Sequence, residues 1–134
     1  MDTASRVLVV GGVLNLAFGL SVGAVLAGLR ARNPNAEHRY LLTAHQAGLQ
    51  QGLMLLGLIW AVALSPLAAE VELLAAGLLA ASSACLDLAA VVNWALGVQD
   101  EFKARSPGLI AGSVSALLSV PGLAILIWGV FQGL

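Results

Sequence analysis

Residues 39–60 read RYLLTAHQAGLQQGLMLLGLIW. From Gly52 onward the run is apolar, and Tyr40 to Leu64 together exceed the roughly 20 residues that a helix needs to cross a bilayer. Its first half nevertheless carries His45 and three glutamines, Gln46, Gln50 and Gln51, which hydrocarbon cannot hydrogen-bond. A membrane helix with one polar face accommodates both halves, and such a face requires partners on neighbouring helices.

The rest of the chain supplies those helices. Its 134 residues are 60% hydrophobic and 10% charged, whereas a soluble domain carries about 25% charge. So few charged groups cannot coat a globule, and most of the surface must face lipid or another subunit. The net charge of −1 excludes a nucleic-acid footprint. The single cysteine, Cys85, excludes an intrachain disulfide and a thiolate metal cluster. It lies in an apolar run and reads as a small buried hydrophobe.

Three polar breaks divide the sequence: RARNPNAEHR (30–39), SPLAAEVE (65–72) and QDEFKARSPG (99–108). They leave spans of about 6–29, 40–64, 71–98 and 109–133. No sustained two-residue alternation favours strands, and a barrel would need many more segments. The expected fold is all-α, an integral membrane up-down four-helix bundle forming one domain over residues 1–134. The first span is too long for the apolar core of a signal peptide and lacks a convincing cleavage site, so it is expected to stay. Arg30, Arg32, Arg39, Lys103 and Arg105 flank the first and third connections against Arg6 alone on the other side. That bias predicts a multi-pass protein of the inner (cytoplasmic) membrane, with those two connections cytoplasmic and both termini outside. Pro121-Gly122 predicts a kink in the fourth span.

Ionisable side chains are expensive at mid-bilayer and mark functional candidates. Asp87 is the one acid away from the ends of a span, and His45 the one histidine well past a helix entrance; His38 belongs to the first loop and is expected to be solvated. Asn15, Gln46, Gln50, Gln51 and Asn93 add amides, for which hydrogen bonds between helices suffice for Asn15, Gln46 and Gln50. Counting about 1.5 Å per residue from the loop ends places His45 and Asn93 about 8 Å deep, and Gln51 and Asp87 about 17 Å deep. Gly48 and Gly52 share a face with His45 and form a flat groove for another helix or a planar ligand. From the residues alone, His45 is open to three roles: structural hydrogen bonding, proton transfer and ligation of haem iron.

The stretches AHQAGLQQGLML (44–55) and CLDLAAVVNWALG (85–97) resemble the small four-span membrane isomerases, which comprise the hydroxylaminobenzene mutases and the styrene oxide isomerases. The latter carry an alanine-histidine pair followed six residues later by asparagine and glycine, matched by His45 and then Gln51-Gly52. Their leucine-aspartate pair matches Leu86-Asp87. The asparagine is a glutamine here, and a tyrosine eight residues after the aspartate corresponds to Ala95. The chain's compact first loop is closer to the mutases.

The resemblance implies a homotrimer with haem b (ferric) between subunits, its iron held axially by His45, with Gly48 and Gly52 as clearance for the ring. It implies conversion of hydroxylaminobenzene to 2-aminophenol, with Asp87 handling positive charge or a proton. Gln51 and Asn93 would orient the N–OH group, and Trp94 would stack on the small aromatic substrate. A styrene-oxide-type epoxide isomerase, or a non-enzymatic haem-binding or proton-relay membrane subunit, are the alternatives.

Overall fold

A computed structural model describes residues 1–134. The chain is helical throughout: α1 (Thr3–Arg32), α2 (Arg39–Gly57), α3 (Ile59–Leu64), α4 (Ala69–Ala95), α5 (Glu101–Ala104) and α6 (Pro107–Gly133). Four helical stretches are long and apolar enough to cross a membrane, Thr3–Arg32, Arg39–Leu64, Ala69–Ala95 and Pro107–Gly133. Large apolar side chains such as Leu20, Leu53, Leu117 and Val120 lie exposed, as a lipid-facing surface requires.

Local chemistry fixes the ends. Asp2 caps α1 by accepting from the Ser5 N–H at 2.6 Å and the Ser5 hydroxyl at 2.8 Å. Those bonds hold its carboxyl below the usual carboxylate range. Helix α4 stops at Ala95, three residues earlier than hydropathy suggests, because Gly97 takes a left-handed φ of 63°. The Gly97 N–H then donates to the Trp94 carbonyl and the Val98 N–H to the Asn93 carbonyl, both at 3.0 Å, a Schellman closure that only glycine enters cheaply. Ser106 starts α6, its hydroxyl accepting from the Leu109 N–H at 3.1 Å, with Pro107 in the first turn. The second span is interrupted at Leu58, directly after the weak helix former Gly57. Helix α6 continues through Pro121 as one element.

Helix α4 is central. It packs along α6 on one side and against α1 and α2 on the other, while α1 and α2 pair along their length. Sequential spans are therefore antiparallel neighbours, but α1 and α6 do not pack extensively, so the bundle stays open between its first and last spans. Two apolar clusters fill it. One joins Ala4, Leu8, Leu55, Val62, Ala75, Ala76, Leu79 and Leu126 near the end that carries the termini. The other joins Val22, Leu26, Leu41, Ala44 and Ala90 near the first and third connections. Between them on α1 and α4 lie Asn15, Ser83 and Asp87, all buried.

Lipid tails are as apolar as leucine, so close packing and hydrogen bonds must hold the helices together. The α1–α2 seam shows how. A Cβ on Gly19 would lie 2.9 Å from the Leu49 nitrogen, and one on Gly48 would lie 2.8 Å from the Gly19 Cα. At Gly52 it would meet the Gly12 carbonyl oxygen at 2.9 Å. These glycines bring two backbones into contact.

Candidate functional site

His45 projects from α2 into the α1 face. Its Nδ1 lies 2.7 Å from the Gly19 carbonyl oxygen. A carbonyl only accepts, so Nδ1 carries the proton and the neutral ring keeps its lone pair on Nε2. Nε2 has no hydrogen-bond partner and is not sealed from the surface. The ring fits because position 23 is glycine: a Cβ there would lie 2.7 Å from both Cε1 and Nδ1. Gly19 and Gly23 thus form a seat on α1 that fixes the tautomer and orientation of the imidazole.

That seat reassigns Gly48 and Gly52. Both face α1 and are filled by its backbone and by Phe18 and Leu16. They provide no clearance for a cofactor ring; the other occupant open to that face, a helix, is α1.

Asp87 is 7% exposed, and its Oδ1 is buried without a hydrogen-bond partner. Its level follows from the register of α1 and α4. Asn15 donates from Nδ2 to the Ser83 hydroxyl at 3.0 Å, and Gly19 and Asp87 each follow by one turn. Asp87 therefore shares the layer of Gly19 and Gly48. His45 and Gln51 stand three residues to either side of Gly48, each about 4.5 Å from that layer along the axis, so the expected pairing of Gln51 with Asp87 and of His45 with Asn93 is corrected. Gln51 is half-buried and makes no hydrogen bond of its own.

Asn93 is not part of that layer. It is 0% exposed, and both ends of its amide are engaged. Nδ2 donates to Glu101 Oε2 at 2.7 Å, and Oδ1 accepts from the Ser106 hydroxyl at 2.6 Å. The Glu101 N–H in turn donates to the Tyr40 hydroxyl at 3.2 Å. Asn93 locks the third connection to α4 and α2, and its amide is fully buried in doing so. Trp94 packs against the Val22–Leu41–Ala90 cluster, which accounts for its burial without an aryl ligand. Gln46 and Gln50 are exposed and form no bonds between helices; Asn15 does. His38 lies at the start of α2, partly exposed, and Cys85 is a free, half-buried thiol.

Sequence reasoning reads Gly19 and Gly23 only as small residues for close helix packing and does not single out Ser83. The first two stood among several small residues of the first span, and their spacing of four was the available signal. Ser83 hid in an alanine- and serine-rich run. Its neighbour Ser82 ties α4 to α6, donating to the Ser115 carbonyl at 2.9 Å. No group of three or more His, Cys, Asp or Glu side chains converges anywhere. In comparisons with known proteins, no family model, no curated protein and no solved structure matches the chain.

Proposed function

We propose that the protein is an intramolecular isomerase of the hydroxylaminobenzene mutase type, acting on hydroxylaminobenzene to give 2-aminophenol. The supporting observation is the seat of His45. An imidazole that ligates a metal almost always donates its other N–H to a carbonyl or carboxylate, which sets the tautomer. Here Nδ1 donates to Gly19 at 2.7 Å and Nε2 is left free. His45 Nε2 is the atom that would hold haem b. Because Nε2 is not sealed inside one chain, a group held there would border lipid or a neighbouring chain, and a neighbouring chain is what the homotrimer would supply. When bound, ferric haem supplies a Lewis-acid centre that favours N–O heterolysis.

The reaction is balanced within the substrate: the N–O bond breaks, a C–O bond forms at the ortho carbon, and the ring proton lost there is returned to nitrogen. No external oxidant or reductant is consumed. Asp87 stands at the level of Gly48, about 4.5 Å along the axis from that of His45, with Oδ1 unpaired, and is assigned to stabilise developing positive charge and to carry that proton. Gln51, on the other side of that level with a free amide, orients the polar end of the substrate. The apolar clusters on either side of the layer exclude water that would otherwise capture the cationic intermediate. An inner-membrane enzyme with its first and third connections cytoplasmic would meet this apolar substrate where it dissolves.

Purified protein from haem-replete cells is expected to show a Soret band that His45→Ala abolishes, and to form 2-aminophenol from hydroxylaminobenzene. Asp87→Asn is expected to keep the band and lose most turnover. The Nδ1–Gly19 bond also supports a second reading, an interhelical tie without a cofactor. A colourless wild type decides for the tie, and rearrangement of styrene oxide but not hydroxylaminobenzene decides for the epoxide isomerase.

A further inference from the structure

A groove of about 470 Å³ opens between α1 and α4, its Asn15 and Ala84 end about one turn from Asp87. Val7, Val10 and Leu14 form one wall, and Gly11, Ala80 and Ala84 give it a flat floor. Asn15 lines its inner end. That side chain is 6% exposed and its orientation is pinned, since Nδ2 donates to the Gly11 carbonyl at 2.7 Å and to the Ser83 hydroxyl at 3.0 Å. Flipping the amide would set its oxygen against the Gly11 carbonyl oxygen. Oδ1 is therefore committed as an acceptor, and it is buried with no partner.

Asp87 Oδ1 is the one other buried side-chain oxygen or nitrogen without a partner. Asp87 follows Ser83, the partner of Asn15, by one turn of α4, so the two residues with unpaired oxygens lie about one turn apart along the same seam. Leaving a buried acceptor unpaired is unfavourable, and both of these lack the same thing, a donor. Asn15 itself lines the groove, whose floor beside it is glycine and alanine.

Resting on the proposed mutase function, we infer that the α1–α4 groove is the substrate's ring pocket, and that Asn15 joins Asp87 as a residue that binds its polar end. An arylhydroxylamine offers an N–H and an O–H on adjacent atoms, two donors for two acceptors, while its ring lies flat on Gly11, Ala80 and Ala84. An epoxide offers only an acceptor and leaves both oxygens unpaired. An acyl chain offers neither. The seam thus selects lipid-soluble aromatics with donors.

The test uses stable probes and fluorine NMR of the full-length protein in nanodiscs. After correction for partition into lipid, 4-fluorophenol and 4-fluoroaniline are expected to bind saturably and about fivefold or more tightly than 4-fluoroanisole, which lacks a donor. Asn15→Leu is expected to erase that preference. Ala84→Phe, at an exposed position where folding is insensitive, is expected to abolish binding of all three probes while retaining any Soret band. Equal binding of the phenol and the anisole, or an Ala84→Phe variant that binds unchanged, overturns the pocket. Donor-selective binding without formation of 2-aminophenol keeps the pocket and rejects the mutase; 2-aminophenol formed by a fully active Ala84→Phe variant does the reverse.

Discussion

Gly23→Ala isolates the seat of His45 with a single methyl group. The new Cβ would stand 2.7 Å from the His45 Nδ1 and Cε1 atoms, while ordinary contact begins at 3.4 Å. The ring must retreat by about 0.7 Å, which stretches the 2.7 Å bond to the Gly19 carbonyl towards 3.4 Å, outside the normal hydrogen-bond range. Losing a hydrogen bond between membrane helices costs about 0.6–1.5 kcal/mol, and crowding a packed seam adds about 1 kcal/mol or more. Against this, alanine gains about 1 kcal/mol over glycine in intrinsic helix propensity.

That last contribution cancels in a comparison with Gly28→Ala. Gly28 is in the same helix and has nothing within 4 Å of its would-be Cβ. The difference between the two variants is expected to be about 1.5–2.5 kcal/mol, Gly23→Ala being the less stable, in reversible unfolding by SDS in mixed micelles. Under the proposed function, Gly23→Ala also weakens or shifts the Soret band, and Gly28→Ala leaves it alone. Equal unfolding of the two variants would refute the seat. A stability difference with an unaltered spectrum would leave His45 as a tie between helices.

Gly48→Ala drives a Cβ to within 2.8 Å of the Gly19 Cα, and backbone cannot swing aside. It is expected to destabilise more than Gly23→Ala, by about 3 kcal/mol or more in the same assay. Asn93→Ala strands the Ser106 hydroxyl and one oxygen of Glu101, and should cost about 2–3 kcal/mol while per-haem activity stays at the wild-type level. Lost turnover in well-folded Asn93→Ala protein would return that residue to the substrate site. The Asp2 cap stabilises the start of α1 when ionised, and its depressed carboxyl pKa means that this support is present at neutral pH. It is lost only as pH falls through and below the ordinary carboxylate range, seen as a lower protection factor of the Ser5 amide relative to its intrinsic exchange rate at each pH; the same loss at neutral pH in Asp2→Ala checks the assignment.

The spans were legible because hydropathy acts over twenty residues and tolerates error at the ends. The polar layers were not, for a reason that can be traced. Depths were counted from the loop ends, with the third span running to Val98. Gly97 closes α4 at Ala95 instead, and three residues displace every α4 side chain by about 4.5 Å. That shift carries Asp87 about half of the way from the Gln51 layer towards that of His45, to the level of Gly19 and Gly48. The polarity of Asn93 was legible, but its engagement was not, since its partners Glu101 and Ser106 come from a connection whose path depends on Gly97 and on the left-handed Arg105 at φ 48°. His45 and Asp87 stood out because charge is rare in a span. What seats His45 is a carbonyl and a missing side chain, and neither leaves a compositional trace.

Those two silent features both belong to α1, the helix with the least conspicuous sequence. One face, Gly12–Gly19–Gly23, meets α2 and holds the imidazole. An adjacent face, Gly11–Asn15, meets α4 and presents the unpaired amide oxygen. Gly19 and Asn15 are one turn apart on a continuous helix, so α1 cannot slide or rotate at one site without moving the other. A ligand that opens the α1–α4 seam must therefore press on the α1–α2 seam, where glycine contacts leave no slack. Coupling of this kind runs both ways: whatever tightens the hold on His45 should also alter how the groove admits a donor. Substitutions at Leu20, exposed and turned away from both seams, should leave the two sites and their coupling untouched.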